Sequence, residues 1–294
     1  MMKVIPGEVK TAQLHAYLLG AVAPRPICFA STVDAEGRPN LSPFSFFNVF
    51  GSNPPTLVFS PSRRVRDNTI KHTLENIYAT REVVINVVTY AMVQQASLSS
   101  CEFPKGVSEF EKSGFTPLPS DKIKPFRVKE SPVQMECVVK DIIETGQGGG
   151  AGNLVICEPV LVHIHEGILD PNGKIDPQKI DLVARMGADY YCRASGDAVF
   201  EVAKPNLKVG IGVDALPAGI RSSHILSGNN LGQLGNVNEL PVIDAAFNDD
   251  HLKNIIQYYS INPDEMEKEL HSYAKKLLEQ NKVDEAWQVL LAGS

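Results

Sequence analysis

Pro43, set inside an otherwise extended run, restricts this chain more than any other feature. The run is Arg38-Pro39-Asn40-Leu41-Ser42-Pro43-Phe44-Ser45-Phe46-Phe47-Asn48, and it follows the apolar segment Ile27 to Val33 across the turn Asp34-Ala35-Glu36-Gly37. A β-branched and aromatic run, a Gly-bearing turn and a second extended segment predict a β-hairpin. Proline cannot donate to a ladder, so the second arm belongs at an edge or a bulge. Ser42, Ser45 and Asn48 are interleaved there with Phe44, Phe46 and Phe47. Such an edge gathers free backbone groups, small hydroxyls and flat aromatic surface, the parts that hold a flat, hydrogen-bonding heterocycle. An edge strand that only buries its phenylalanines carries the same letters.

The pattern after the hairpin is mostly strands. Pro54-Pro55 opens a strand over Thr56 to Ser60, and Glu82 to Val88 is another. Between them, Ile70, Leu74 and Ile77 fall at helical spacing, so a helix is expected to begin near Thr69. Short helices are also expected over Val9 to Val22 and Tyr90 to Ser100, with an irregular connection from Lys105 to Pro132. Val133 to Ile143 alternates like a half-buried antiparallel strand. The run Gly146-Gln147-Gly148-Gly149-Gly150-Ala151-Gly152 turns the chain, and Leu154 to His165 returns. Many strands with turn signals and few helices suggest a β-barrel or sandwich. Beyond Phe200 the character changes. Residues 207 to 240 are rich in Gly, Asn and Ser, Asp244 to Tyr259 reads as a helix, and Asn262-Pro263 looks like an N-cap with proline at the first helical position. Two helices follow, to about Gln280 and from about Val283. Alone they cannot bury their own face, so a helical hairpin packed on the barrel or on a partner is expected.

A chain of 294 residues can hold one large domain, or a domain plus an appendage. The expected division is 1–206 and 207–294. The net charge of −6 disfavours a general nucleic-acid or anionic-membrane role. The five cysteines show no C-x-x-C pair, which argues for reduced, mostly buried thiols and against a disulfide framework. No apolar run has the length of a signal core or a membrane span, so a soluble cytoplasmic protein is expected.

Other constellations carry less. Arg63-Arg64-Val65-Arg66-Asp67-Asn68-Thr69, at an expected helix start, suits a phosphate, because arginines supply charge and the helix supplies free N–H groups. Read by itself, a solvated charged turn with an N-cap is the commoner meaning of such a segment. His163 and His165 share one strand face and could begin a metal site. No third ligand stands at sensible spacing, so ordinary half-buried histidines and no metal are expected. Gly210-Ile211-Gly212 imitates a dinucleotide fingerprint, but Pro217 interrupts the helix that should follow. The 146–152 run has no lysine after it and is not a P-loop.

The ordered set Ala23-Pro24-Arg25-Pro26-Ile27, Asn40-Leu41-Ser42-Pro43-Phe44-Ser45, Pro54-Pro55, Arg66-Asp67-Asn68-Thr69, Glu82-Val83-Val84-Ile85-Asn86, Glu109-Phe110 and Arg185 to Tyr191 resembles the flavin reductase-like proteins, which are FMN-binding split barrels. The resemblance covers roughly Val22 to Phe200. It implies a mainly β fold with helices, an FMN-binding split β-barrel, here with a C-terminal helical extension. It implies that FMN is held by Asn40, Ser42, Pro43, Phe44, Ser45, Phe46 and Asn48 at the ring, by Arg63, Asn68 and Thr69 at the phosphate, and by Lys105, Arg185 and Tyr190 closing the site. Where the commoner family pattern is Asp-Thr, this chain has Asp67-Asn68-Thr69. The activity implied is an oxidoreductase that passes electrons from NADH or NADPH through FMN to free flavin, iron or a partner, working as a homodimer. Hydride transfer needs no side-chain acid or base, so no catalytic residue is nominated. A non-catalytic electron carrier and an oxidase of the pyridoxamine-phosphate oxidase kind are the alternatives.

Overall fold

In the computed structural model, which describes residues 1–205 and 209–293, the strand carrying Pro43 lies at a sheet edge, as proline requires. After helix α1 (Thr11–Ala21) come β1 (Cys28–Val33), β2 (Pro39–Phe44), β3 (Phe47–Ser52) and β4 (Pro55–Phe59). Helix α2 (His72–Thr80) leads to β5 (Glu82–Val87), and α3 (Val93–Leu98) and α4 (Glu109–Ser113) follow. The two-residue strands β6 (Pro117–Leu118) and β7 (Arg127–Val128) pair within the connection. Two twelve-residue strands, β8 (Val133–Glu144) and β9 (Asn153–Ile164), carry the sheet on, and β10 (Leu182–Arg185) and β11 (Tyr191–Ala194) form a separate hairpin.

The main sheet is antiparallel throughout, in the order β2-β1-β5-β8-β9-β4-β3. Strands β2 and β3 occupy opposite edges, yet only Ser45 and Phe46 separate them in the chain. In a flat sheet, six inter-strand steps of about 4.8 Å would hold these edges roughly 29 Å apart. The three Cα steps from Phe44 to Phe47 reach at most about 11 Å. The sheet is therefore rolled until its edges meet without pairing, which is a split barrel. The expected single arm through Asn48 is thus two strands, broken where the Phe46 carbonyl accepts the Ser60 N–H at 2.9 Å.

Alternation sorts the core. Cys28, Ala30, Phe44, Phe59, Val83, Ile85, Cys137 and Cys157 fill the barrel, with Leu74 and Ile77 of α2 packed on them. On the outer face, Phe29 and Leu41 pack with Met92, Ala96 and Phe110 from the α3–α4 region. The three barrel cysteines are buried free thiols, whereas Cys101 is exposed and Cys192 half-buried. Burial pushes the Cys137 thiol up to about 12, so it stays protonated and unreactive.

The chain divides into two compact units, Met1–Phe200 and Glu201–Ser294. The boundary expected at 206/207 lies outside the described residues. The second unit holds α5 (Ala218–Arg221), α6 (Gly228–Gly235), α7 (Asp250–Tyr258), α8 (Pro263–Glu279) and α9 (Val283–Leu291). Asn262 caps α8 by accepting the Glu265 N–H, with Pro263 at its first turn. Helix α7 begins at Asp250, later than the expected Asp244, because Asp249 caps it at the Leu252 N–H and Asp244 is spent on a turn at Ala246. Trp287 of α9 is fully buried among Leu234, Leu270, Ala274 and Leu278. The α8–α9 hairpin thus finds its missing apolar face on α6 and α7.

Candidate functional site

The edge arm delivers its residues to two places. Register with β1 puts Asn40, Ser42 and Phe44 on the face of Thr32, Ala30 and Cys28. Asn40 is buried, and its amide donates to Thr73 Oγ1 at 2.9 Å, with Asn76 of the same helix donating to Thr32 Oγ1 at 3.1 Å. This network ties α2 to the hairpin. Phe44 is buried against Phe59, ring centroids 5.4 Å apart. Ser42, Pro43 and Ser45 are half-buried, while Phe46 and Asn48 are exposed along the split. Phe46 meets the His15 ring of α1 edge-on at 6.2 Å. Glu109 of α4 accepts the Leu41 N–H of the edge strand at 3.0 Å, and burial raises its carboxyl above the ordinary glutamate value.

The basic turn is knit to itself. Arg63 donates to Asn68 Oδ1 at 2.7 Å and to the Asn68 carbonyl at 2.8 Å, and Asn68 sits in the left-handed region at φ 58°. Thr69 gives both its hydroxyl, at 2.6 Å, and its N–H, at 3.1 Å, to Asp67. These bonds pull the Asp67 carboxyl down to about 2. With Thr69 so engaged, the helix starts later than expected, at His72. The glycine run 146–152 braces the turn from behind. Gly150 donates to the Arg63 carbonyl, Arg63 to the Ala151 carbonyl, and Asn68 to the Gln147 carbonyl. Gly149 lies so close that a Cβ there would stand 3.0 Å from the Val65 carbonyl oxygen.

Several expected segments do converge. Arg64 pairs with Glu102 at 3.1 Å, and Arg66 with the same carboxylate at 3.0 Å. Lys105 pairs with Glu75 in the first turn of α2 at 2.7 Å. Lys71, which sequence reasoning passed over, sits at the N-cap of α2 with its ammonium 5.6 Å from the centre of the Phe44 ring. No side chain caps this helix end, and among the described residues no carboxylate pairs with Lys71. Burial, and the Arg64 guanidinium nearby, lower the Lys71 ammonium below the ordinary lysine value, and burial lowers His72 as well. Arg64, Arg66 and Lys105 are paired with Asp67, Glu75 and Glu102, whereas Lys71, like Arg63 of the same turn, has no carboxylate partner within ion-pair distance among the described residues. Free N–H groups, a half-buried unpaired ammonium and an aromatic face describe a place for an anion attached to a ring.

Arg185 and Tyr190 are not drawn into that cluster. Arg185 stacks over Tyr191, 4.7 Å from the ring centre, and donates to the Ala188 carbonyl, while Tyr190 is exposed. Their link to the split runs through α1. Buried Arg25 donates to the Leu19 and Val22 carbonyls at the end of α1, both at 2.6 Å, and to Met186 at 2.8 Å. Gly187 approaches Gly20 so closely that a Cβ would stand 3.2 Å from its Cα. A second group that sequence spacing hid lies on the sheet. His163 stands 2.7 Å from buried Glu136 and 3.8 Å from Asp121. Glu136 also accepts the Asp121 and Lys122 N–H groups, and Arg127 Nε lies 3.9 Å away. Glu136 thus ties the connection before β8 to the sheet, and the ligand atoms of Asp121, Glu136 and His163 lie within 4.8 Å of one another.

The sequence model described as flavin reductase like domain matches residues 20–178. A protein of Aquifex aeolicus is 35% identical over 201 residues, which cover 68% of this chain and all of the relative. Among solved structures, nitrilotriacetate monooxygenase component B from Bacillus cereus is similar, at 28% identity and TM-score 0.64, over 69% of this chain and 98% of that one. The 2-nitrobenzoate 2-nitroreductase of Pseudomonas fluorescens is similar at 25% identity and TM-score 0.62, over 74% and 99%.

Proposed function

The chain belongs to the flavin reductase-like family, and from that premise we propose that it is an FMN-binding oxidoreductase, passing electrons from NADH or NADPH to free flavin, iron or a partner. One observation carries the cofactor assignment. Lys71 is half-buried, unpaired and set at an uncapped helix start beside the Phe44 ring. A flavin mononucleotide has both the anion and the ring that this arrangement lacks.

In this reading Lys71, Arg64 and the first N–H groups of α2 hold the phosphate. Arg63, Asn68 and Thr69 keep the turn in shape, and Lys105 stands beside them on Glu75. Ser42, Ser45, Asn48 and the unpaired backbone of the split meet the polar edge of the ring, and exposed Phe46 its face. Asn40, Pro43 and Phe44 set the strand, and Arg185 and Tyr190 close the site. When bound, the flavin supplies the hydride and electron chemistry. The protein's part is to bind, orient and exclude water, and no side-chain acid or base is assigned.

The purified protein is expected to be yellow, to release the mononucleotide on denaturation, and to oxidise NADH or NADPH when free flavin is added. A yellow protein that oxidises neither is an electron carrier. A folded protein that neither carries nor takes up FMN ends this reading.

A further inference from the structure

Spacing along the chain hides the partners of His163, because they come from two other segments. On the sheet, Gln134 faces His163 and Glu136 faces Leu161, so Glu136 and His163 stand diagonally on one face. Their contact is 2.7 Å, Nε2 to Oε1. Asp121 comes from the connection between β6 and β7, and its carboxylate reaches within 3.8 Å of the same Nε2. Glu136 itself holds the connection there, accepting the Asp121 N–H at 2.9 Å and the Lys122 N–H at 2.7 Å. One imidazole nitrogen and two carboxylate oxygens therefore meet within 4.8 Å, and the residue that supplies one of them also positions another.

Glu136 is fully buried, and an anion taken out of water needs a positive partner. Arg127 is close but stands off. Its Nε and Nη2 donate to the Pro119 carbonyl and its Nη1 to Gln134 Oε1, which leaves Nε 3.9 Å from the Glu136 carboxylate. Neither Lys122 nor Lys124 of the same connection forms an ion pair with Glu136 or Asp121 among the described residues. Two carboxylates against one guanidinium leave a negative charge beside the imidazole. A proton joins His163 to Glu136, and a cation can take its place. The spacing suits a small ion. Zinc with ligands at about 2.1 Å spans tetrahedral edges of about 3.4 Å, and the two edges measured here, 2.7 Å and 3.8 Å, lie on either side of that. The Asp121 side chain is 60% exposed and that of His163 23%, so an ion can enter from solvent and keep a fourth position for water. Calcium and magnesium prefer oxygen alone, and more of it.

We propose that Asp121, Glu136 and His163 form a site for a divalent transition-metal ion, zinc above all, and that the ion clamps the connection before β8 to the sheet. The inference does not rest on the flavin reading. The test is isothermal titration of chelator-treated, full-length protein with the chlorides of zinc, magnesium and calcium. One zinc ion per chain is expected to bind, more tightly than magnesium or calcium, and to raise the melting temperature. Loss of an outer partner of a metal ligand costs about 10–100-fold in affinity, so Asp121→Asn and His163→Gln, which remove ligands outright, should each cost at least that. Asp121 is exposed, so Asp121→Asn should melt with the parent protein when no metal is present, which separates loss of a ligand from loss of the fold. His165, two residues on, lies outside the group, so His165→Gln should bind zinc as the parent does. Absence of zinc binding overturns the proposal, as does binding that neither Asp121→Asn nor His163→Gln weakens, which is an adventitious ion only. Calcium bound as tightly as zinc overturns the choice of an ion that takes nitrogen.

Discussion

A lysine ammonium that is half-buried and lacks a counter-ion raises the free energy of a fold unless something else supplies the negative charge. Lys71 comes near that position: no carboxylate pairs with it directly among the described residues, and burial followed by Arg64 lowers its pKa, with Glu102 opposing them only at longer range. Lys71→Met keeps the aliphatic stem over Phe44 and removes only the charge. It is expected to weaken FMN about tenfold to a hundredfold, the value of a charge-assisted hydrogen bond of roughly 1.5–3 kcal/mol. Riboflavin has no phosphate, so its affinity should hardly move. Fluorescence titrations with the two ligands give the comparison, and an equal loss for both would remove Lys71 from the phosphate site. Glu109 makes a prediction of opposite sign. Its carboxyl is raised by burial while it accepts the Leu41 N–H. Between the unfolded value of about 4.3 and the raised folded value, the native state binds more protons than the unfolded state. Stability therefore falls as pH rises through that window. Glu109→Gln keeps an acceptor for Leu41 and cannot ionise, so its urea midpoint should vary less with pH there. A variant that tracks the parent protein across the window would show that Glu109 does not set this slope.

The elements that sequence made legible are those specified locally. Pro43 marked an edge because a missing donor is a property of one residue, and Asn262-Pro263 marked the start of α8 for the same reason. The split at Ser45–Phe46 was not legible, since it follows from the roll of seven strands rather than from the arm itself. The start of α2 was misplaced by a side-chain event, the capture of Thr69 by Asp67, and Lys71 was overlooked as a consequence. In sequence, the 146–152 run signals only a turn. Its role as the backing of the 63–69 turn depends on contacts across some eighty residues, such as Asn68 to Gln147. That role is testable at Gly149, where a Cβ would stand 3.0 Å and 3.1 Å from the Val65 and Arg64 carbonyl oxygens. Backbone cannot yield as a flexible side chain can. Gly149→Ala should cost about 1–3 kcal/mol of stability, the usual scale of overpacking, and should weaken FMN more than riboflavin by shifting Arg64. Gly148 has open space around its Cβ position, so Gly148→Ala is the matched control. Equal behaviour of the two variants in thermal melts would show that the run does not brace the turn.

At the scale of the molecule, the barrel unit leaves apolar surface uncovered. Val49 and Phe50 of edge strand β3 are 64% and 69% exposed, and Val160, Val162 and Ile164 of β9 are exposed too. An open edge with apolar side chains invites pairing, and a homodimer would cover it. Phe50→Glu should then shift the mass measured by light scattering from dimer toward monomer, and a monomeric parent protein would remove the reason for the change. The second unit makes a separate prediction. Its core, around Leu234, Leu270, Leu278 and Trp287, draws on residues 211 to 291 alone. The barrel cores draw on residues 27 to 183. The two sets share no side chain, and a unit with a complete core of its own can fold alone. Every residue assigned here to the cofactor, from Asn40 to Tyr190, belongs to the first unit. A fragment ending at Phe200 should therefore fold, bind FMN as tightly as the full chain, and melt in a single cooperative step. Residues 209–293 expressed separately should give a helical circular-dichroism spectrum. If the 1–200 fragment is folded but colourless and takes up no FMN, the helical unit contributes to the site and the division of labour is wrong.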